Sequence, residues 1–224
     1  MQFLRDLKRH NNREWFQAHK DEYLNAKARF DAITERLIMG ISQFDDSCQG
    51  LTVKDCTYRI YRDVRFSKDK SPYKTHFGAY VCPGGKKSGY AGYYFHIGIG
   101  EGNTYPDFHM LAVGDYRYNP DALRIIKEDI ENGDGDFDDI IKNKVADVFT
   151  FDDEDMYARI PAGFPSDSPY GYYLRLKTFC LGYSPDNKFM QDDNVVENAV
   201  KLFATTYPFT QYINRAIRYS KEEL

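Results

Sequence analysis

The chain predicts an α+β fold in one domain, residues 1–224, with an antiparallel or mixed sheet flanked by a long N-terminal helix and C-terminal helices. Three observations carry that expectation. Apolar residues recur every three or four positions up to Phe44. They alternate with polar ones between Cys56 and Tyr116, and they return to helical spacing after Asn119.

In chain order, QFLRDLKR (residues 2–9) sets Phe3, Leu4 and Leu7 on one helical face. HNNREWF reads as a break and a restart, in which Asn11 caps a new helix and Glu14 completes a capping box. Tyr23, Ala26, Phe30, Ile33, Leu37, Ile41 and Phe44 then continue one long amphipathic helix that ends near Asp45 and Asp46. CTYRIYRDVRFS, KTHFGAYVC and GYAGYYFHIGIG read as three strands. The glycine-rich CPGGKKSGYAG joins the last two as a hairpin, and DFHMLAVGDY holds a fourth strand. Asn119 and Pro120 open a helix that stops at Gly133, and DFDDIIKN forms a short helix after it. Residues 149–184 mix proline turns with a strand or short helix. The chain closes on two helices broken at Pro208.

Composition narrows the function classes. The net charge of −4 argues against a general binder of nucleic acid or anionic membranes. No apolar run approaches the roughly 20 residues that span a bilayer. The N-terminus lacks an apolar signal-peptide core, and Cys48, Cys56, Cys82 and Cys180 have no CxxC spacing, so the expectation is a cytoplasmic protein with reduced thiols. The 19 tyrosines can bury rings while keeping hydroxyls for polar contacts. Oligomeric state has no signature in these residues.

The charge is unevenly spread. Between Tyr58 and His76 stand Arg59, Arg62, Arg65, Lys68, Lys70 and Lys74 against Asp63 and Asp69, a surplus of four. The rest of the chain therefore sums to −8. On a strand, Arg59, Tyr61, Asp63 and Arg65 share one face, while Arg62 falls on the apolar face with Ile60, Val64 and Phe66. A buried, unpaired guanidinium costs about 3–5 kcal/mol, so Arg62 needs an acid from outside its strand.

Two readings follow. In one, Asp45, Asp46 or the acids of Asp152–Asp155 fold over and neutralise the surplus. In the other, the strand and loop bind a small anionic ligand bearing phosphate or carboxylate. Arg62, Arg65, Lys68, Lys70 and Lys74 then hold charge, Asp63 orients an arginine and Tyr73 forms an aromatic wall. An alternative function is docking of an acidic partner protein through the same loop.

RDVRFSKDKSPYK (Arg62–Lys74), NNREWFQAHKDEY (Asn11–Tyr23) and RIPAGFPSDSP (Arg159–Pro169) resemble the bacterial family termed domain of unknown function 2461, over most of the chain. The resemblance implies a shared fold and no activity. It also implies that Asn11, Asn12, Trp15, Phe16, Lys20 and Tyr23 flank the basic strand. The family's third motif often reads Asp-His-Pro, where this chain has Asp167-Ser168-Pro169, which weakens a catalytic reading of that turn.

Other motifs are poor matches to known chemistry. GIGEG (Gly98–Gly102) lacks the GK[ST] ending of a phosphate loop. His96, His109 and Asp107 lack metal-ligand spacing, and His96 reads as a hydrogen-bonded core residue. NGDGDFDD has no calcium-loop register, and no serine or cysteine has a nucleophile setting. No cofactor is implied.

Overall fold

A computed structural model describes residues 1–102 and 104–222. Helices α1 (Gln2–Arg9), α2 (Arg13–Ala18) and α3 (Lys20–Ile41) open the chain, and the one-turn α4 (Val53–Cys56) follows. Three strands come next: β1 (Phe77–Val81), β2 (Gly92–Ile97) and β3 (Met110–Asp115). Helices α5 (Pro120–Asn132) and α6 (Asp136–Asn143) lead to the two-residue β4 (Thr150–Phe151). Then come α7 (Gly171–Arg175), β5 (Phe179–Tyr183), α8 (Asn187–Met190), α9 (Val195–Thr205) and α10 (Tyr207–Glu222).

The five strands form one sheet in the order β1-β2-β3-β5-β4, with every pairing antiparallel. Alternation gives its two faces different chemistry. One face carries the rows Ala79–Phe95–Leu111–Tyr183 and Val81–Tyr93–Val113–Leu181–Phe151. These rows pack with residues of α3, α5, α9 and α10, including Leu37, Ile126, Phe203 and Ile213, in the main core. The opposite face reads Gly78–His96–Met110, Tyr80–Tyr94–Ala112–Gly182 and Gly92–Gly114–Cys180. It is rich in small residues, and long side chains can lie flat on it. A Cβ at Gly78 would stand 2.6 Å from Tyr94 Oη, so that glycine lets Tyr94 lie across β1.

A second, smaller core joins Phe3, Leu4 and Leu7 of α1 to Phe16, Ile60, Tyr73 and Ile99. The face expected of α1 is the face it buries. The β1–β2 hairpin, the Asn119–Pro120 start of α5, and α6 also form where the sequence places them. The four cysteines are free thiols.

Three details differ from expectation. Asn12, not Asn11, caps α2, with its side chain accepting from Trp15 N–H at 2.9 Å. Asn11 is engaged elsewhere: it clamps the backbone of Tyr73 in both directions, at 2.9 and 3.1 Å. The long N-terminal helix is interrupted at His19, whose Nδ1 lies 2.8 Å from the Trp15 carbonyl. The final break falls at Thr206, and Pro208 sits in the first turn of α10, where its missing N–H costs nothing.

The largest correction concerns CTYRIYRDVRFS, which forms no strand. Only isolated bridges occur there, Thr57 to Ala79 and Tyr61 to Tyr73. Side chains and a proline explain the outcome. Arg62 N–H reaches the Pro72 carbonyl at 2.9 Å, but Pro72 has no N–H to return. Asp63 and Asp69 accept the backbone N–H groups two residues ahead, at Arg65 and Ser71, closing turns that compete with a ladder.

Candidate functional site

The segment from Arg59 to Lys74 is therefore an arm pinned at its base. Two backbone hydrogen bonds, Lys74 N–H to Ile60 O at 2.7 Å and Arg62 N–H to Pro72 O at 2.9 Å, hold its stem. Ile60 and Tyr73 are buried in the second core, and Tyr73 stacks on Phe16 at 3.9 Å. Asn11 and Phe16 thus flank the basic segment, as the resemblance implies.

Within the arm, Arg62 is the internal tie. Its guanidinium binds the Asp69 carboxylate, the Ser71 carbonyl at 3.2 Å and Ser67 Oγ at 3.3 Å. The acid that Arg62 requires comes from the loop beyond the expected strand. Asp63 holds Arg65 with two charge-assisted bonds, of 3.0 and 2.6 Å. Hydrogen bonds from Arg65 keep the Asp63 carboxyl down at about 2. Bonds from Ser71, and then Arg62, do the same for Asp69. Both pairs are solvent-exposed, so they shape the loop more than they stabilise the protein.

The other four cations find no carboxylate within ion-pair distance among the described residues. Arg59 and Lys68 point into solvent, and Lys70 donates to the Val64 carbonyl at 3.0 Å. Lys74 turns away from the tip and sets its ammonium 5.3 Å from the Tyr58 ring centre. Burial, then repulsion from Arg59, lowers the pKa of Lys74.

Several of the acids that might have neutralised the surplus are occupied elsewhere. Asp45 is buried and accepts from Tyr93 Oη at 3.0 Å, Asp155 pairs with Lys177, and Asp153 accepts from Tyr172 Oη at 3.1 Å. Two surface cavities, of about 510 and 300 Å³, lie away from the arm: one between α6 and α10, the other beside α1.

The seven sequence-selected residues thus separate. Arg62, Asp63, Arg65, Lys68 and Lys70 share the projecting loop, Tyr73 is buried beneath it, and Lys74 faces the sheet. The sequence reading passed over Phe66, which is 96% exposed at the tip, with the Arg65 guanidinium 5.9 Å from its ring. A strand assignment hid it by placing it on a buried face. The SKDKSP turn residues beside it were the available signal.

His96 is buried and hydrogen-bonded, as expected. Ser168, at the third motif, donates to Glu131 at 2.5 Å and accepts from Tyr170 N–H, a turn-closing role.

No helix among the described residues is long and apolar enough to cross a membrane. No curated protein and no solved structure matches the chain. Residues 1–212 match the family model described as conserved hypothetical protein (DUF2461). With nearly its whole length matched, its arm and N-terminal motif brought together and its helices packed on one antiparallel sheet, the chain belongs to the DUF2461 family.

Proposed function

We propose that the arm is a docking element for an acidic surface of a partner protein. The observation that carries this reading is Phe66, a large apolar side chain 96% exposed at the tip, with the Arg65 guanidinium 5.9 Å from its ring and lysines at positions 68 and 70 of the same loop. An exposed aromatic among arginines and lysines has the composition of an interface centre, where a ring fills a pocket and charges steer the approach. Arg59 and Lys68 supply charge that no carboxylate among the described residues takes up.

A small anion would gain little at the tip. Tyr73, the expected wall, is buried in the second core, and neither described cavity touches the loop. An extended polyanion such as nucleic acid would meet the −8 of the remaining chain, whereas a short acidic segment need touch only the arm. Four free thiols favour a reducing, cytoplasmic setting.

Fluorescence anisotropy tests the proposal with three labelled probes: a peptide alternating Glu and Leu, an all-Glu peptide of equal charge, and duplex DNA. The Glu-Leu peptide should bind best, and Phe66→Ala should erase its advantage over all-Glu. Replacing Arg59 and Lys68 by Ala should flatten the salt dependence. Tighter binding of DNA, or no binding of either peptide, overturns the proposal.

A further inference from the structure

A docking arm of this composition needs an acidic surface, and the chain displays one at the far edge of its own sheet. Directly after β4, Asp152, Asp153, Glu154 and Asp155 stand in an unbroken run, all four exposed. Two of them are engaged. Asp153 accepts from Tyr172 Oη at 3.1 Å, and Asp155 pairs with Lys177. The carboxylates of Asp152 and Glu154 have no hydrogen-bond or ion-pair partner among the described residues.

An aromatic ring is built into the same strip. Tyr172 is 40% exposed, yet it is held on two sides. Asp153 takes its hydroxyl, and its ring meets Phe151 and Tyr173 edge-to-face, at 6.1 and 5.5 Å. The neighbouring Tyr157 is a poorer receptor for a cationic tip, because Lys127 and Lys177 already lie 4.7 and 5.4 Å from its ring centre. A fixed, half-open ring beside unpaired carboxylates complements Phe66 beside unpaired lysines, in shape and in sign of charge.

Within one molecule these two surfaces lie at opposite edges of the sheet. The arm springs from the outer side of β1, where Thr57 bridges to Ala79 and Tyr58 N–H reaches the Gly78 carbonyl at 3.3 Å. Asn11 and Phe16 pin its stem there. The acidic run continues from β4, the other edge strand, and Asp152 N–H bonds the Cys180 carbonyl at 3.0 Å. From β1 to β4 the sheet is four strand spacings wide, about 19 Å. The ion pairs of the arm are accordingly internal to it, Arg62 with Asp69 and Arg65 with Asp63.

We propose, resting on the docking reading above, that the arm's partner is a second copy of this chain. Phe66 of one copy packs on Tyr172 of the next, and Lys68 and Lys70 face Asp152 and Glu154. Each copy carries both halves of the contact, and neither half is neutralised within its own chain. Because the halves sit on opposite edges, the contact is head-to-tail, and every contact leaves one arm and one acidic edge open at the ends of the assembly.

Sedimentation velocity of the whole chain, over a wide concentration range at low and at high salt, tests this. At low salt the average mass should rise with concentration, and at high salt it should fall back to that of one chain. Phe66→Ala alone should weaken the association tenfold or more. Two blocked variants supply the sharper test, since all five altered positions are exposed and the fold does not depend on them. Phe66→Ala with Lys68→Glu and Lys70→Glu keeps only the acidic edge, and Asp152→Lys with Glu154→Lys keeps only the arm. Each should be monomeric by itself. Mixed, they should form a one-to-one complex and nothing larger, because the remaining ends are blocked. A parent chain that stays monomeric at low salt overturns the proposal, as does a mixture that forms no complex or a blocked variant that still self-associates. A chain that stays monomeric but binds the Glu-Leu peptide loses the second copy and keeps the docking arm, whereas one that does neither loses both.

Discussion

Two cationic regions lie next to each other in this protein, and solvent treats them differently. At the arm tip, Arg65, Lys68 and Lys70 are exposed, and their two acids are held low by direct hydrogen bonds. On the open sheet face, Lys74 loses pKa to burial, and His76 and His96 are driven to about 3 and 4 by the same cause. The tip is governed by pairing, the sheet face by desolvation. Net charge along the sequence cannot separate these cases, because both regions have a positive surplus. What separates them is the backing surface: the tip projects from a stem, and the face rests on five strands.

Acid is the strongest way to split the pair. A buried histidine whose folded pKa is depressed contributes stability that is complete above its unfolded value, near 6.5, and that is lost as pH falls toward the folded value. For His96 that window runs from 6.5 to about 4, and for His76 from 6.5 to about 3, with Lys74 adding repulsion to His76. Each withheld proton costs about 1.4 kcal/mol per pH unit, so the pair should lose on the order of 4 kcal/mol between pH 6.5 and 5. Asp63 and Asp69 stay ionised throughout that interval, so the tip should contribute nothing to the loss. Urea titrations at pH 7 and pH 5 measure it. His76→Phe should remove about half of the difference, and an unchanged difference would exclude His76 from it.

The arm's base should be the next most sensitive point. Tyr73 is 3% exposed and stacked on Phe16, so Tyr73→Ala opens a cavity in the second core and should cost about 3 kcal/mol in urea unfolding at pH 7. It should also release the tip, which Asn11 and Tyr73 together anchor. Loss of amide-exchange protection at Lys74 N–H would report that release.

On the sheet side, Gly78→Ala tests the close approach that lets Tyr94 lie flat. The added methyl would stand 2.6 Å from Tyr94 Oη, so the phenol must move, at a cost of about 2 kcal/mol. Displacing Tyr94 also breaks its bond to His96 Nδ1, so the histidine ¹⁵N spectrum should change with it. A variant as stable as the parent, with an unchanged spectrum, would mean that Tyr94 does not lie on β1.

The two regions also differ in how far the sequence could reveal them. Helical periodicity, the Asn119–Pro120 start and the glycine-rich hairpin made most elements legible, since each is a local signal that local physics obeys. The arm's charge surplus was equally plain. Its conformation was not, because the alternation of Ile60, Val64 and Phe66 mimics a strand, while two Asx turns and Pro72 dissolve the ladder. The partner of Arg62 could be required from sequence but not named, since Asp69 reaches it only after the loop folds back. The phenols of the open face were the least accessible. Tyr58, Tyr94 and Tyr105 reach the stacked His76–His96 pair only through strand register and the return of a connection, and no local pattern encodes that meeting.

The smallest effect is the most discriminating for the tip. Phe66 is almost fully exposed, with the Arg65 guanidinium 5.9 Å from its ring, so Phe66→Ala removes little packing. Stability should change by less than about 0.5 kcal/mol, the range of surface substitutions that touch nothing structural. Solubility, in contrast, should rise or stay level, because a bare aromatic on a projecting loop favours association. A loss of 2 kcal/mol or more would mean that Phe66 packs against this chain in solution, and the tip would then be a latch rather than a docking element. Differential scanning calorimetry of the variant, alongside Tyr73→Ala from the same arm, separates a free tip from a bound one.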